Sequence, residues 1–397
     1  MFTLLLAIVA TLSSDGANPS FRAVAPSKPA GPDIVVTGTP LHKSREALDA
    51  CLARHCAPLE DINASLAYAE GLFVAGDYQR AHDVLGRSVE RNKRFAATYP
   101  VEVAGLYRGY SNVSAHLGEG DDYIAAAYRM GRSIKSGPQA PRAEVMLTEL
   151  EVGDMQIRTS DRPWLAIQSY EAVSRRAHAE GLTGVAAAAD LRLAMLRYAA
   201  RRTREGDALL DGIIALPGDD FASMRLAARI TKATHNLRPG AQPDFAKAFA
   251  ATSDLPRNGR QMLVWTPALN LPTRAPHALD MPSPSNASDA GSESFRDCWI
   301  DVAFSVRSDG RVENVTILRS GKVKDVAWAA PVLRQLAGRV YTPLAPGVTP
   351  LAAYRIERFS YTSYYMVPKG TLVRHRDGKP RVERLDLTPA AGVVQTP

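Results

Sequence analysis

The chain has 397 residues, too many for one ordinary domain, and its make-up of 46% apolar and 22% charged residues excludes a disordered or fibrous protein. A formal net charge of +7 and a pI near 9.3 admit a polyanionic partner. However, 38 of the 48 basic residues are Arg, they are scattered, and no dense Lys/Arg run exists, so nucleic-acid binding is not expected.

At the N-terminus, Leu4-Leu5-Leu6-Ala7-Ile8-Val9-Ala10-Thr11-Leu12 is an apolar run followed by polar and small residues. Its length suits the core of a secretory signal and falls short of the ~20 residues of a membrane span. Residues 1–17 are therefore expected to be a signal peptide cut near Ala17, with a buried strand as the alternative. Residues 18–42 are rich in Pro, Ala, Ser and Gly and predict an extended segment. Within it, Asp33-Ile34-Val35-Val36-Thr37-Gly38 resembles a phrase found near the start of mature envelope proteins of sphingomonad-type bacteria.

Cys51 and Cys56 stand five residues apart. On an unbroken helix they diverge, so bridging them needs the helix to end between them, which Pro58 favours. A disulfide is the expectation for an exported chain and two thiols the alternative; His55 between them lacks the second ligand pair of a zinc site.

Residues 43–254 predict an all-α region, with apolar residues at three- and four-residue steps and short Gly-containing breaks. The clearest unit runs from Ala67 through Gly71, Gly76-Asp77-Tyr78 and Ala81 to Val89. Further units are Tyr107 to Ile134, Val145 to about Ala179, and Ala186 to Leu216. Small residues at Ala69 and Ala81 let two antiparallel helices approach, and Gly76 lets the chain reverse. This pattern resembles the tetratricopeptide repeat; any Ala-rich helical bundle is the alternative. The resemblance implies a stack of helix pairs with a partner-binding groove, for which Tyr68, Phe73, Tyr107, Tyr110 and Asn112 are candidates. Core packing is the competing role for these aromatics.

Residues 255–294 predict a Pro/Ser-rich linker, interrupted by one island, Gln261 to Trp265, able to form a strand that docks on the C-terminal domain. From 295 to 367 the period becomes two. Ile300 to Val306 alternates apolar with small or polar residues; Asp309-Gly310 supplies a hairpin turn; Val312 to Leu318 is a second strand. Val326 to Gly338 reads as an amphipathic helix with Pro331 near its start, and Ala353 to Tyr365 as a third strand. This small α+β ββαβ module, with Arg319-Ser320-Gly321 and Tyr341-Thr342-Pro343 at its junctions, resembles the C-terminal domain of TonB-type energy transducers. The resemblance implies a periplasmic module that adds a strand from a partner, such as an outer-membrane transporter, at an edge. The matching edge is Tyr354-Arg355-Ile356-Glu357-Arg358-Phe359-Ser360-Tyr361. Residues 368–397 predict a basic tail, with a hairpin about Asp377-Gly378 as the alternative, and Cys298 a small buried apolar residue.

No phosphate-binding Gly loop, His-Glu-x-x-His pair or nucleophile elbow occurs, and the eight histidines lack metal-ligand spacing. No catalytic residue, metal or cofactor is therefore assigned. The expectation is a multidomain, non-enzymatic periplasmic scaffold binding a protein or peptide in the cell envelope. The alternatives are an inner-membrane energy transducer, which needs a longer anchor and a spacer in place of the helical region, and an envelope enzyme.

Overall fold

The computed structural model describes residues 40–160, 163–235, 245–250, 261–271, 298–321, 328–344, 354–367, 370, 372–376 and 380–388. The expected signal peptide, almost all of the extended segment and most of the linker lie outside them, as do Val326 at the start of the expected helix and the end of the tail.

An all-α region comes first. It comprises α1 (Leu41–Ala53), α2 (Pro58–Ala75), α3 (Tyr78–Asn92), α4 (Pro100–Leu117), α5 (Gly120–Ser136), α6 (Arg142–Thr159), α7 (Pro163–Ala179), α8 (Thr183–Ala199), α9 (Thr203–Ile214), α10 (Ala222–Thr234) and α11 (Phe245–Ala250). Consecutive helices from α2 to α9 pack as four hairpins, α2/α3, α4/α5, α6/α7 and α8/α9, which coincide with the four units read from the sequence. Their boundaries follow from local chemistry. Pro58 opens α2, where its missing N–H is no loss, and Gly76 closes it in the left-handed conformation (φ 87°). Asp77 then caps α3 by accepting from the Arg80 backbone N–H at 3.2 Å. The second hairpin repeats the device, with Pro100 at the start of α4 and Gly118 (φ 77°) at its end. Ala69 and Ala81 are buried in the core shared by these helices, as close helix approach requires.

A small antiparallel sheet region comes next. The strands are β1 (Leu263–Trp265), β2 (Trp299–Val306), β3 (Val312–Ser320), β4 (Val340–Tyr341), β5 (Tyr354–Thr362), β6 (Tyr365–Met366), β7 (His375–Arg376) and β8 (Arg381–Asp386), with helix α12 (Ala329–Ala337) between β3 and β4. The main sheet has the order β3-β2-β5-β8. The Gln261–Trp265 island does form a strand: β1 pairs with β4, Leu263 opposite Tyr341. Arg381–Asp386, expected within a tail, is the last strand of the sheet, paired with β5 from Glu357↔Asp386 to Thr362↔Arg381.

The register assigns the two faces. Ile300, Val302, Phe304, Phe359 and Tyr361 share the face that packs on Trp328, Val332 and Leu336 of the α12 segment. Trp299, Asp301, Arg358, Ser360, Glu383 and Leu385 share the other face. Alternation in Ile300 to Val306 implied a solvated second face; instead that face is buried on the helical region, with Trp299 and Leu385 joining the core of α2 to α5. The sheet region therefore packs directly on the helical region through this face. No helix among the described residues is long and apolar enough to cross a membrane.

Candidate functional site

The second face of the sheet lies across the turn ends of the first three hairpins, where the C-termini of α2, α4 and α6 come together. A helix C-terminus leaves carbonyls without intrahelical donors and carries partial negative charge. Arg358, fully buried, supplies both donors and charge. Its Nη1 donates to the Phe73 carbonyl at 2.6 Å and its Nη2 to the Val74 carbonyl at 2.8 Å. The same guanidinium donates to Asp301 at 2.6 and 2.9 Å and lies over the Trp299 ring, 4.1 Å from its centroid. Arg319 reaches Asp301 at 2.6 Å and the Val74 carbonyl at 3.2 Å. Gly76 completes the fit, because a Cβ there would overlap the Trp299 indole.

At the second hairpin, Ser360 shares hydrogen bonds of 2.8 Å with Tyr78 and with His116 Nδ1. Burial pushes the His116 imidazole down to a pKa of about 4, against a smaller opposing pull from Glu383. Next to it, the Tyr365 backbone N–H donates to the Gly118 carbonyl at 2.6 Å. At the third hairpin, Arg158 from the end of α6 pairs with Glu383 of β8, and Tyr364 donates to that carboxylate at 3.2 Å. Burial works to raise the Glu383 pKa, but Arg158 and His116, with the hydrogen bonds from Arg158 and Tyr364, outweigh it and bring the carboxyl below its ordinary value. Arg374 adds an ion pair to Glu119 at 2.6 Å.

The Ser360–His116 pair has the spacing of a nucleophile and its base, yet Ser360 is 1% exposed and His116 7%. With the sheet on one side and helix ends on the other, no substrate reaches the hydroxyl. This polar cluster seals a seam. It fixes the sheet to the hairpins and determines which surfaces remain open.

Most of the residues expected to bind a partner are inside the structure. The Tyr354–Tyr361 segment is not an edge: β5 is paired with β2 on one side and β8 on the other, so its backbone groups are satisfied internally. Of its side chains, Arg355, Glu357, Arg358, Phe359, Ser360 and Tyr361 are buried, Glu357 in a 2.8 Å pair with Arg339. Among the groove candidates, Tyr68, Phe73 and Tyr107 are at most 7% exposed and pack in the helical core. Tyr110 is half-buried and donates to Asp122 at 3.2 Å, leaving Asn112 as the exposed member. The fold does not bring these five together as one open surface.

Among the described residues, backbone without a neighbouring strand lies instead at the ends of the sheet. β8 is one end, and its Glu383 is locked into the seam. β3 is the other, and none of its nine residues is buried. One extra residue in β3 near Leu318 and another between Glu313 and Thr316 bulge this strand, with Asn314 at φ 55°. Cys51 and Cys56 are bonded, 5.1 Å apart at Cα, across the break between α1 and α2.

Trp299, Asp301, His116, Arg158 and Glu383 carry the seam and were not singled out by the sequence, and Tyr78, which joins them, was read only as part of a turn. The available signal was Trp299-Ile300-Asp301, where a bulky aromatic and an acid occupy the face assigned to solvent. Comparison with protein-family models, with characterised proteins and with solved structures returns no match for this chain.

Proposed function

We propose that this chain is a non-enzymatic interaction scaffold of the bacterial cell envelope. Its helical hairpins are of the tetratricopeptide kind, and its sheet is akin to the C-terminal domain of TonB-type transducers. An extended segment of a partner protein adds to β3. The supporting observation is that β3 ends the sheet with no buried residue and with its outer backbone unpaired among the described residues, while the opposite end is tied down through Glu383. The two bulges restrict the added segment to a short one, since pairing must cross an interrupted ladder. The Cys51–Cys56 disulfide agrees with an oxidising compartment. The buried seam gives the scaffold its purpose: hairpins and sheet present their surfaces in one fixed relation, so a partner meets both together.

Photo-crosslinking side chains placed at the exposed Glu313, Thr316 and Leu318 test this in the native cell. All three are expected to capture one common partner in the envelope fraction, and the same group at exposed Arg204 of α9 is expected to capture none. Absence of any adduct along β3, with expression and fractionation unchanged, overturns the strand-addition proposal.

A further inference from the structure

On the helical region, away from the seam, a cleft of about 350 Å³ opens between α3, α4 and α5, lined by Glu90, Lys93, Tyr107, Arg129, Arg132 and Ser133. Its polar groups are unevenly matched. Glu90 is neutralised by Lys93 at 2.6 Å. Arg129 and Arg132, three residues apart on one face of α5, have no ion pair or hydrogen bond to any described residue. The Tyr107 ring is buried in the core, and its hydroxyl, held among these charges, has no hydrogen-bond partner there. The side-chain hydroxyl of Ser133, which is 8% exposed, likewise has none among the described residues.

We infer that this cleft binds a phosphate monoester dianion through Arg129 and Arg132, with the hydroxyls of Tyr107 and Ser133 as further donors. Charge sets the sign of the ligand: once Glu90 and Lys93 cancel, two guanidiniums remain. Donor number sets its class. A carboxylate has two oxygens and is satisfied by a single guanidinium fork, whereas three terminal phosphate oxygens use both forks and the hydroxyls. The volume exceeds that of a bare phosphate, so it holds part of the group esterified to it as well.

The hairpins supply an internal control. Leu85-Gly86-Arg87-Ser88-Val89 of α3 matches Met130-Gly131-Arg132-Ser133-Ile134 of α5, so Arg87 is the counterpart of Arg132 one hairpin earlier, and it does not line the cleft.

Calorimetric titration of the full chain with phenyl phosphate and with benzoate, its matched carboxylate, tests the inference. Phenyl phosphate is expected to bind saturably and at least about tenfold more tightly than benzoate. Arg129→Ala/Arg132→Ala is expected to weaken it by about tenfold or more, Tyr107→Phe by severalfold, and Arg87→Ala not at all. All three positions to be truncated to Ala are exposed, so the far-ultraviolet helical signal should be unchanged and a loss of binding is attributable to the cleft. Flotation with phosphatidylcholine vesicles containing phosphatidic acid identifies the source. Binding to vesicles that the double variant abolishes places the phosphate on a lipid; binding of the soluble ester alone places it on a free metabolite. No saturable binding of either, equal affinity for benzoate, or equal sensitivity to Arg87→Ala overturns the inference.

Discussion

Replacing Arg358 with Met should separate the unfolding of the sheet from that of the helical hairpins. The native guanidinium makes two bonds to Asp301 and two to the C-terminal carbonyls of α2. Breaking a buried pair by removing one partner costs about 3–5 kcal/mol, because the other charge stays desolvated. Asp301 is 1% exposed but keeps Arg319 at 2.6 Å, and the Phe73 carbonyl keeps the Gly76 N–H at 3.0 Å. The loss should therefore fall near the lower limit, about 3 kcal/mol, a large share of the roughly 5–15 kcal/mol available to a folded domain. Urea titration resolves the outcome: tryptophan emission follows mainly the sheet region, which holds Trp265, Trp299 and Trp328 while the fourth tryptophan, Trp164, is already exposed on α7, and far-ultraviolet dichroism follows the helices. The wild type should give coincident transitions and Arg358→Met two, the sheet's first. Arg358→Met/Asp301→Leu, which removes both charges, should recover about 2 kcal/mol. A single variant with coincident transitions and a loss below about 0.5 kcal/mol, the range of neutral surface substitutions, refutes the reasoning.

Gly76→Ala should cost clearly more than Gly181→Ala in denaturation midpoint. Both are left-handed, a cost of roughly 1–2 kcal/mol for a residue with a Cβ, but only Gly76 faces Trp299, whereas nothing lies near Gly181. The His116 imidazole titrates near 4 when folded and at 6.5 otherwise, so the unfolded chain binds the extra proton between these values. Stability should accordingly be full above about pH 6.5 and fall as pH drops toward 4, and stability-versus-pH curves of His116→Gln should lack that portion of the slope. Glu70 behaves oppositely: burial lifts its carboxyl to about 7, so folding favours the protonated form and Glu70→Gln should stabilise the chain above neutral pH, measured as a higher urea midpoint. Cys51→Ala/Cys56→Ala should lower stability by about 2 kcal/mol, small because the loop closed is short, with extra amide exchange confined to α1 and the start of α2.

The order of helices then strands was legible because each period is enforced by one continuous apolar face. The hairpin turns were legible because Gly76 and Gly118 occupy left-handed positions that other residues resist. The seam was not, for a physical reason. It joins two regions mainly through Arg358, Asp301, Glu383, Arg158 and His116, and charged residues in a sequence read as solvent-facing when their partners are up to 285 positions away. β8 was obscured in the same way. In Arg381-Val382-Glu383-Arg384-Leu385-Asp386 the alternation is hidden because both faces meet ion-pair partners, Arg384 with Glu357 and Glu383 with Arg158. Without β8, the Tyr354–Tyr361 strand looked like an edge, which is why the expected edge fell one strand too far inward.

Hydrogen exchange of the intact chain, resolved by peptide mass spectrometry, tests most directly whether the sheet is built into the hairpins with β3 as its open end. The account predicts that the amides of β5 and the Tyr365 amide bonded to Gly118 are as protected as those of α4, while β3 exchanges faster than either. Rapid exchange throughout β5, with β3 the better protected, would contradict the seam and return the open edge to Tyr354–Tyr361.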